Sequence, residues 1–172
     1  ETQRLLKETE QRNAELAIIN SVQEGLVAKM DIQGIYDLVG DKIRDIFDAQ
    51  AVLIAGFDLD NERSWINYGW EKGKRFYEET PLSGLERHII KTSQIVLINS
   101  DAEKRVAEFG MKVSPGTEFT KSMLFVPLVV GYTVRGMISL QNVDRENAFS
   151  DSDVRLLQTL ANSMSVALEN AR

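Results

Sequence analysis

Two long apolar runs, Ser122 to Val130 and Val134 to Val143, stand close together in the second half of the chain, separated by Gly131-Tyr132. Each is strand length, and neither alternates apolar with polar residues, which is the pattern of strands buried on both faces. The Gly-X pair between them suits a two-residue type II′ hairpin turn. A chain built around such a hairpin must cover both sides of its sheet, and the remaining segments can be read as that cover.

Helical patterns occupy both ends. From Glu1 to about Ala28 there is no proline, and Leu5, Thr9, Arg12, Leu16, Ile19, Gln23 and Leu26 follow alternating steps of four and three. The seam is heptad-like but polar at Thr9 and Arg12, so it makes a weak coiled coil alone. Ile18 and Val22 add a second stripe. Asp31 stands where an N-cap belongs, before a helix carrying Ile32, Ile35, Val39, Ile43, Ile46 and Phe47 on one face. At the other end, Ser150 and Asp153 form a capping box and Phe149 a staple onto Val154, opening a last helix with Leu157, Leu160, Met164, Ala167 and Ala171 at the same spacing. One stripe can pack on the sheet and another on a second copy. Leu16, Ile19, Leu26, Leu157, Leu160, Met164 and Ala167 are the expected dimer residues.

Between these ends, Ala51 to Phe57 and Ser64 to Trp70 flank turn residues Asp58 to Asn61 and read as a β-hairpin. The stretch from Phe76 to Gln94, with Leu85, Ile89 and Ile90 at helical spacing, reads as a covering helix, and Ile95 to Ile98 as a short strand. Ser100 to Lys121 is charged and interrupted by Gly110, Pro115 and Gly116, the composition of a mobile lid.

At 172 residues there is room for one core with extra helices. The net charge of -6, with no segregated basic patch, disfavours nucleic acid. The absence of cysteine excludes disulfides, thiolate metal sites and thiol nucleophiles. No apolar run approaches the roughly 20 residues that span a bilayer, so a cytoplasmic location is expected. The chain opens at Glu1 and ends at Arg172 inside a helical pattern, as a segment of a longer protein would.

The stretch GLERHIIKTSQIVLIN from Gly84 to Asn99, the strand SMLFVPLVV with Pro127, RGMISLQN with Gly136 and the closing FSDSDVRLLQTLANSMSVALENAR resemble, in this order, the GAF domain. The resemblance covers roughly residues 14 to 171, leaving 1 to 13 as a linker or signalling helix. It implies an α/β (α+β) fold, a central mainly antiparallel sheet with the N- and C-terminal helices on one face and a helix and loop lid on the other. It also implies a regulatory role: a non-catalytic sensor that dimerises through its end helices, accepts a small molecule under the lid and passes a signal to a kinase or cyclase beside it. ETQRLLKETEQRNAEL is similar to the linker that follows a preceding GAF module. Two alternatives stay open, a ligand-free dimerisation spacer and a PAS-like sensor.

Cyclic-nucleotide-binding members carry Asn-Lys, Phe and Asp-Glu. Here Asn142, Phe149 and Asp153 match, while Val143 and Val154 replace the lysine and the glutamate, so the motif's ion pair is lost. Capping chemistry accounts for the last two matches equally well. Without cysteine, covalent bilin attachment and the sulfoxide-reductase chemistry of this fold are both excluded, and the cofactor is left unassigned.

Trp65, Tyr68, Trp70, Phe76 and Tyr77 could form an aromatic wall or simply core, and Phe109, Met111 and Phe119 in the lid could close on a ligand. The expected pocket lining is Trp65, Asn99, Phe109, Met123, Phe125 and Ser139. His88, the single histidine, could ligate haem iron, but beside Arg87 on a covering helix it reads as structural. Asp101, Glu103 and Glu108 alternate with Lys104 and Arg105 as a solvated helix face does. No metal cluster, phosphate loop or nucleophile elbow is present in the sequence, so neither metal nor catalytic residues are expected.

Overall fold

A computed structural model describes residues 2–28, 31–111 and 119–171. Helix α1 (Thr2–Ala28) runs without a break through the expected boundary at residue 13. Helix α2 (Ile32–Ile46) follows, opened by Asp31, whose carboxylate accepts the backbone N–H of Gly34. Strands β1 (Ala51–Asp58) and β2 (Arg63–Glu71) form the expected hairpin.

Strand β3 (Lys74–Pro81) was not expected, because its run KRFYEETP offers no apolar face to read. It pairs antiparallel with β2, and the covering helix α3 (Gly84–Thr92) begins only after Pro81. Then come β4 (Val96–Ile98), the short helix α4 (Ala102–Ala107), β5 (Ser122–Val130), β6 (Thr133–Asn142) and α5 (Asp151–Asn170). Pro115 and Gly116 of the expected lid lie outside the described residues, and α4 occupies its first part.

The six strands form one antiparallel sheet in the order β3-β2-β1-β6-β5-β4. Val130 pairs with Thr133, so the β5–β6 turn has two residues, and Gly131 supplies the positive φ (64°) that a type II′ turn needs at its first central position. The two apolar runs do bury both faces. Leu124, Val126, Leu128, Ile138 and Leu140 join α1, α2 and α5 in one core. Met123, Phe125 and Met137 turn the other way, to Leu85 and Ile89 of α3 and Ala102 and Val106 of α4.

This layering corrects the expected dimer residues. Leu157, Leu160 and Met164 are completely buried in the chain's own core, Leu26 is nearly so, and Ile19 and Ala167 pack against it. The sheet claims the seam, because an uncovered face this apolar costs more than an unmade dimer contact. Of the seven, Leu16 alone is exposed, and the other large apolar side chains left outside on these two helices are Leu5, Leu6, Val27 and Val166.

Helices α1 and α5 lie side by side and run in the same direction. Gln11 donates to Ser152, Arg155 donates to both oxygens of Glu15 (3.0 and 3.3 Å), and Gln23 reaches Ser163, so both numbers rise together along the contact. The chain therefore enters at one end of the helical layer and leaves at the other.

Candidate functional site

Ser139 is the most informative polar group in the sheet. It sits on β6 between Leu53 of β1 and Phe125 of β5, is 1% exposed, and its hydroxyl has no hydrogen-bond partner among the described residues. A buried hydroxyl without a partner costs on the order of 1–3 kcal/mol. Its register neighbour Phe125 places it on the face covered by α3 and α4, away from the end helices.

Around it, Met123 and Phe125 are buried in the same layer, and Phe109, Met111 and Phe119 pack at its margin. Two residues along β6, Gln141 accepts a hydrogen bond from Thr120 (3.2 Å). Thr120 and Gln141 line a cleft of about 580 Å³ with Ala51, Glu71 and Val143, and Thr120 also lines a second cleft of about 640 Å³ against Asp101, Lys104 and Glu146. Both clefts open to solvent, and Ser139 lines neither of them.

The other expected pocket residues divide. Phe109 stands on the lid side, where its carbonyl oxygen lies against Gly84 so closely that any Cβ there would come within 1.8 Å of it. That contact ties the end of α4 to the start of α3. Asn99 is structural: its side-chain amide donates to the Phe149 carbonyl and its oxygen accepts from the Phe149 N–H, pinning the entry to α5. Trp65 is on the wrong face. It pairs with Gly56, which faces Tyr36 of α2, and it is half exposed at the sheet margin. An irregularity between Ile66 and Gly69 reverses the alternation that sequence spacing assumes.

The aromatic group around β2 is held by cations from α2 and β3, and of its members Trp70 also lines the cleft of about 580 Å³. The Arg44 guanidinium lies 3.2 Å from the centroid of Trp70, and Arg75 lies 4.0 Å from Tyr68 and 5.5 Å from Tyr77. Asp37 accepts from Arg75 at 3.0 Å and Asp41 accepts the Tyr68 hydroxyl at 2.7 Å, which fastens α2 to β2 and β3. Burial raises the Tyr68 phenol above its ordinary range, with the Asp41 carboxylate adding and Arg44 opposing. Phe76 departs from the group and lies over Gly69 on the opposite face.

The nucleotide-like positions are all occupied by architecture. Asn142 is buried, donates to the Asp48 carbonyl and accepts from the backbone N–H groups of Asp144 and Arg145. Phe149 is core, and Asp153 completes the capping box with Ser150. His88 stands edge-on to Phe109 with ring centroids 4.9 Å apart. Among the described residues no group of three metal-ligating side chains converges, and no helix is long and apolar enough to cross a membrane.

A family model for the GAF domain matches residues 29–169. The chain belongs to the GAF domain family. Solved GAF folds superpose over nearly its whole length: the GAF domain of a phosphoenolpyruvate-protein phosphotransferase from Coxiella burnetii (15% identity, 92% of this chain and 94% of that one, TM-score 0.74) and its counterpart from Acinetobacter (18% identity, 92% and 95%, TM-score 0.71). Free methionine-R-sulfoxide reductase from Neisseria meningitidis, solved with its substrate, is similar at 12% identity over 92% and 90% of the chains (TM-score 0.71). The comparison with curated protein sequences returned no match. The family match displaces the PAS alternative, and it begins after α1.

Proposed function

We propose that this GAF domain is a non-catalytic regulatory sensor that binds a small molecule under α3 and α4 and passes the event along its paired end helices. The observation that carries this reading is Ser139. A hydroxyl left without a partner at the centre of an otherwise apolar layer is a cost that a ligand's polar group can remove. Phe125 beside it in register, with Met123 and Phe109 in the same layer, supplies the apolar surroundings of such a site.

The helices suit transmission. Because α1 and α5 are parallel and joined by side-chain bridges, an input at the start of α1 and an output beyond α5 lie at opposite ends of one packed unit. Residues 1 to 13 then act as the incoming linker, in a protein that carries a kinase, a cyclase or a further GAF module, working in the cytoplasm. The exposed Leu5, Leu6, Leu16, Val27 and Val166 replace the buried seam as the surface for a helical homodimer. The non-catalytic part of this reading is supported by the absence of cysteine from the sequence, which leaves no thiol for the chemistry of a sulfoxide reductase that depends on one.

A thermal-shift screen with nucleotides, amino acids, haem and tetrapyrroles tests the sensor reading. A ligand at 100 times its dissociation constant stabilises the folded state by about 2.7 kcal/mol. A hit whose effect disappears in Ser139→Val supports the site. A reproducible hit indifferent to Ser139 places binding elsewhere, and no hit in any class leaves the dimerisation spacer as the better account.

A further inference from the structure

The sheet ends on one side at β4, three residues long, and on the other at β3, eight residues long. Long edge strands offer unpaired backbone groups, and proteins guard them with charges or proline. In β3 the only proline is Pro81, at its last position. The β2–β3 turn is a two-residue one, Lys72-Gly73, with both φ values positive (52° and 76°), the pattern of a type I′ hairpin. Glu71 and Lys74 then form its bonded pair, so by alternation the backbone groups of Arg75 and Tyr77 point to the free edge.

The charges on this edge are arranged in an unusual way for a guard. Lys74 and Arg75 stand at one end, Glu78 and Glu79 at the other, with Phe76 and Tyr77 between. A guard of one sign repels any second copy, but this order is self-complementary when the strand meets itself antiparallel. A two-fold axis normal to the sheet keeps every side chain on its own face, so residues of equal parity come opposite one another. With the axis at Phe76, Phe76 faces Phe76, Lys74 faces Glu78 twice, and Arg75 faces Tyr77. Lys74 and Glu78 are exposed and have no ion pair within the chain among the described residues, whereas Arg75 and Glu79 are held by Asp37 and Arg63. The two free charges are the two that this register pairs.

We propose that β3 is a homotypic docking edge, where a second copy of this chain adds antiparallel through Phe76 to make one continuous sheet across two domains. This surface is distinct from the end helices, since α5 packs against β5 and β3 is the far edge of the sheet. It stands whether or not a ligand binds near Ser139.

Sedimentation equilibrium on the intact chain, in low and high salt, tests it with Lys74→Glu, Glu78→Lys and the double exchange. Each single change puts two like-charged pairs across the axis and is expected to weaken this association about tenfold, while the double exchange restores it. High salt should weaken the original chain and the double exchange alike. A helical dimer would raise the mass of all four proteins equally and leave their differences intact. Equal association in all four, or a double exchange no tighter than the singles, overturns the proposal.

Discussion

At the scale of single residues, two buried polar side chains set opposite expectations. Ser139→Ala removes an unpartnered hydroxyl from an apolar layer, so the ligand-free domain should become more stable by about 1 kcal/mol in urea denaturation while losing its response to ligand. A loss of stability would mean that the hydroxyl has a partner in solution. Tyr68 is the converse case, since its hydroxyl donates to Asp41 and accepts from Arg44. Its phenol is raised in the folded state, so its contribution is intact below the unfolded value near pH 10 and declines as pH rises from there through the folded value. Tyr68→Phe should therefore lower stability at neutral pH and flatten its fall above pH 10, measured by thermal melts across that range. Gly40 is part of the same packing: a Cβ there would come within 2.4 Å of the Tyr68 ring, so Gly40→Ala has to displace it.

At the scale of elements, the α1–α5 contact shows what periodicity conveys and what it omits. Ile18, Val22 and Leu26 are spaced four apart, so sliding α1 by one turn would put one apolar side chain in place of the next. Burial alone specifies the register weakly. The Glu15–Arg155 pair specifies it better, because Glu15 is only 13% exposed and a slide would strand it without its cation. A double-mutant cycle over Glu15→Ala and Arg155→Ala should show a coupling of about 1 kcal/mol, and a value near zero would leave register to the apolar contacts. The end helices, the caps at Asp31 and Ser150, and the β5–β6 turn were all legible in sequence because each rests on local chemistry. Strand β3 was not, since an edge strand exposed along most of its length has no apolar face to betray it. The helical seam is ambiguous for a related reason: a three-four repeat records that one helix face is buried, but not whether a sheet or another molecule buries it. The site was legible only in part. Phe125 and Ser139 share the face covered by α3 and α4, Trp65 is turned away from it by an irregularity in β2, and the unpartnered state of Ser139 depends on its neighbours in space.

At the scale of the whole molecule, the question is where apolar surface remains after the sheet has taken what it needs. The ends of α1 and α5 form an open groove of about 740 Å³, lined by Leu26, Val27, Val166 and Ala167 among polar neighbours Gln23 and Asn170. Val27 is 87% exposed and Val166 61%, while Leu157, Leu160 and Met164 are fully internal, so contact between copies at this groove has to use the outer pair. This separates two substitutions that the bare heptad pattern treats as equivalent. Leu160→Ala should cost about 2–5 kcal/mol of stability whatever the oligomeric state, because it opens a cavity in the core. Val166→Glu should leave the unfolding of the single domain within about 0.5 kcal/mol of the original, as surface changes usually do, yet weaken helical association by placing a charge in the groove. Denaturation at low concentration and light scattering at high concentration read the two effects separately. If Val166→Glu left the scattering mass unchanged in a chain that associates, the end helices would be acting within each copy alone, coupling input to output without a partner.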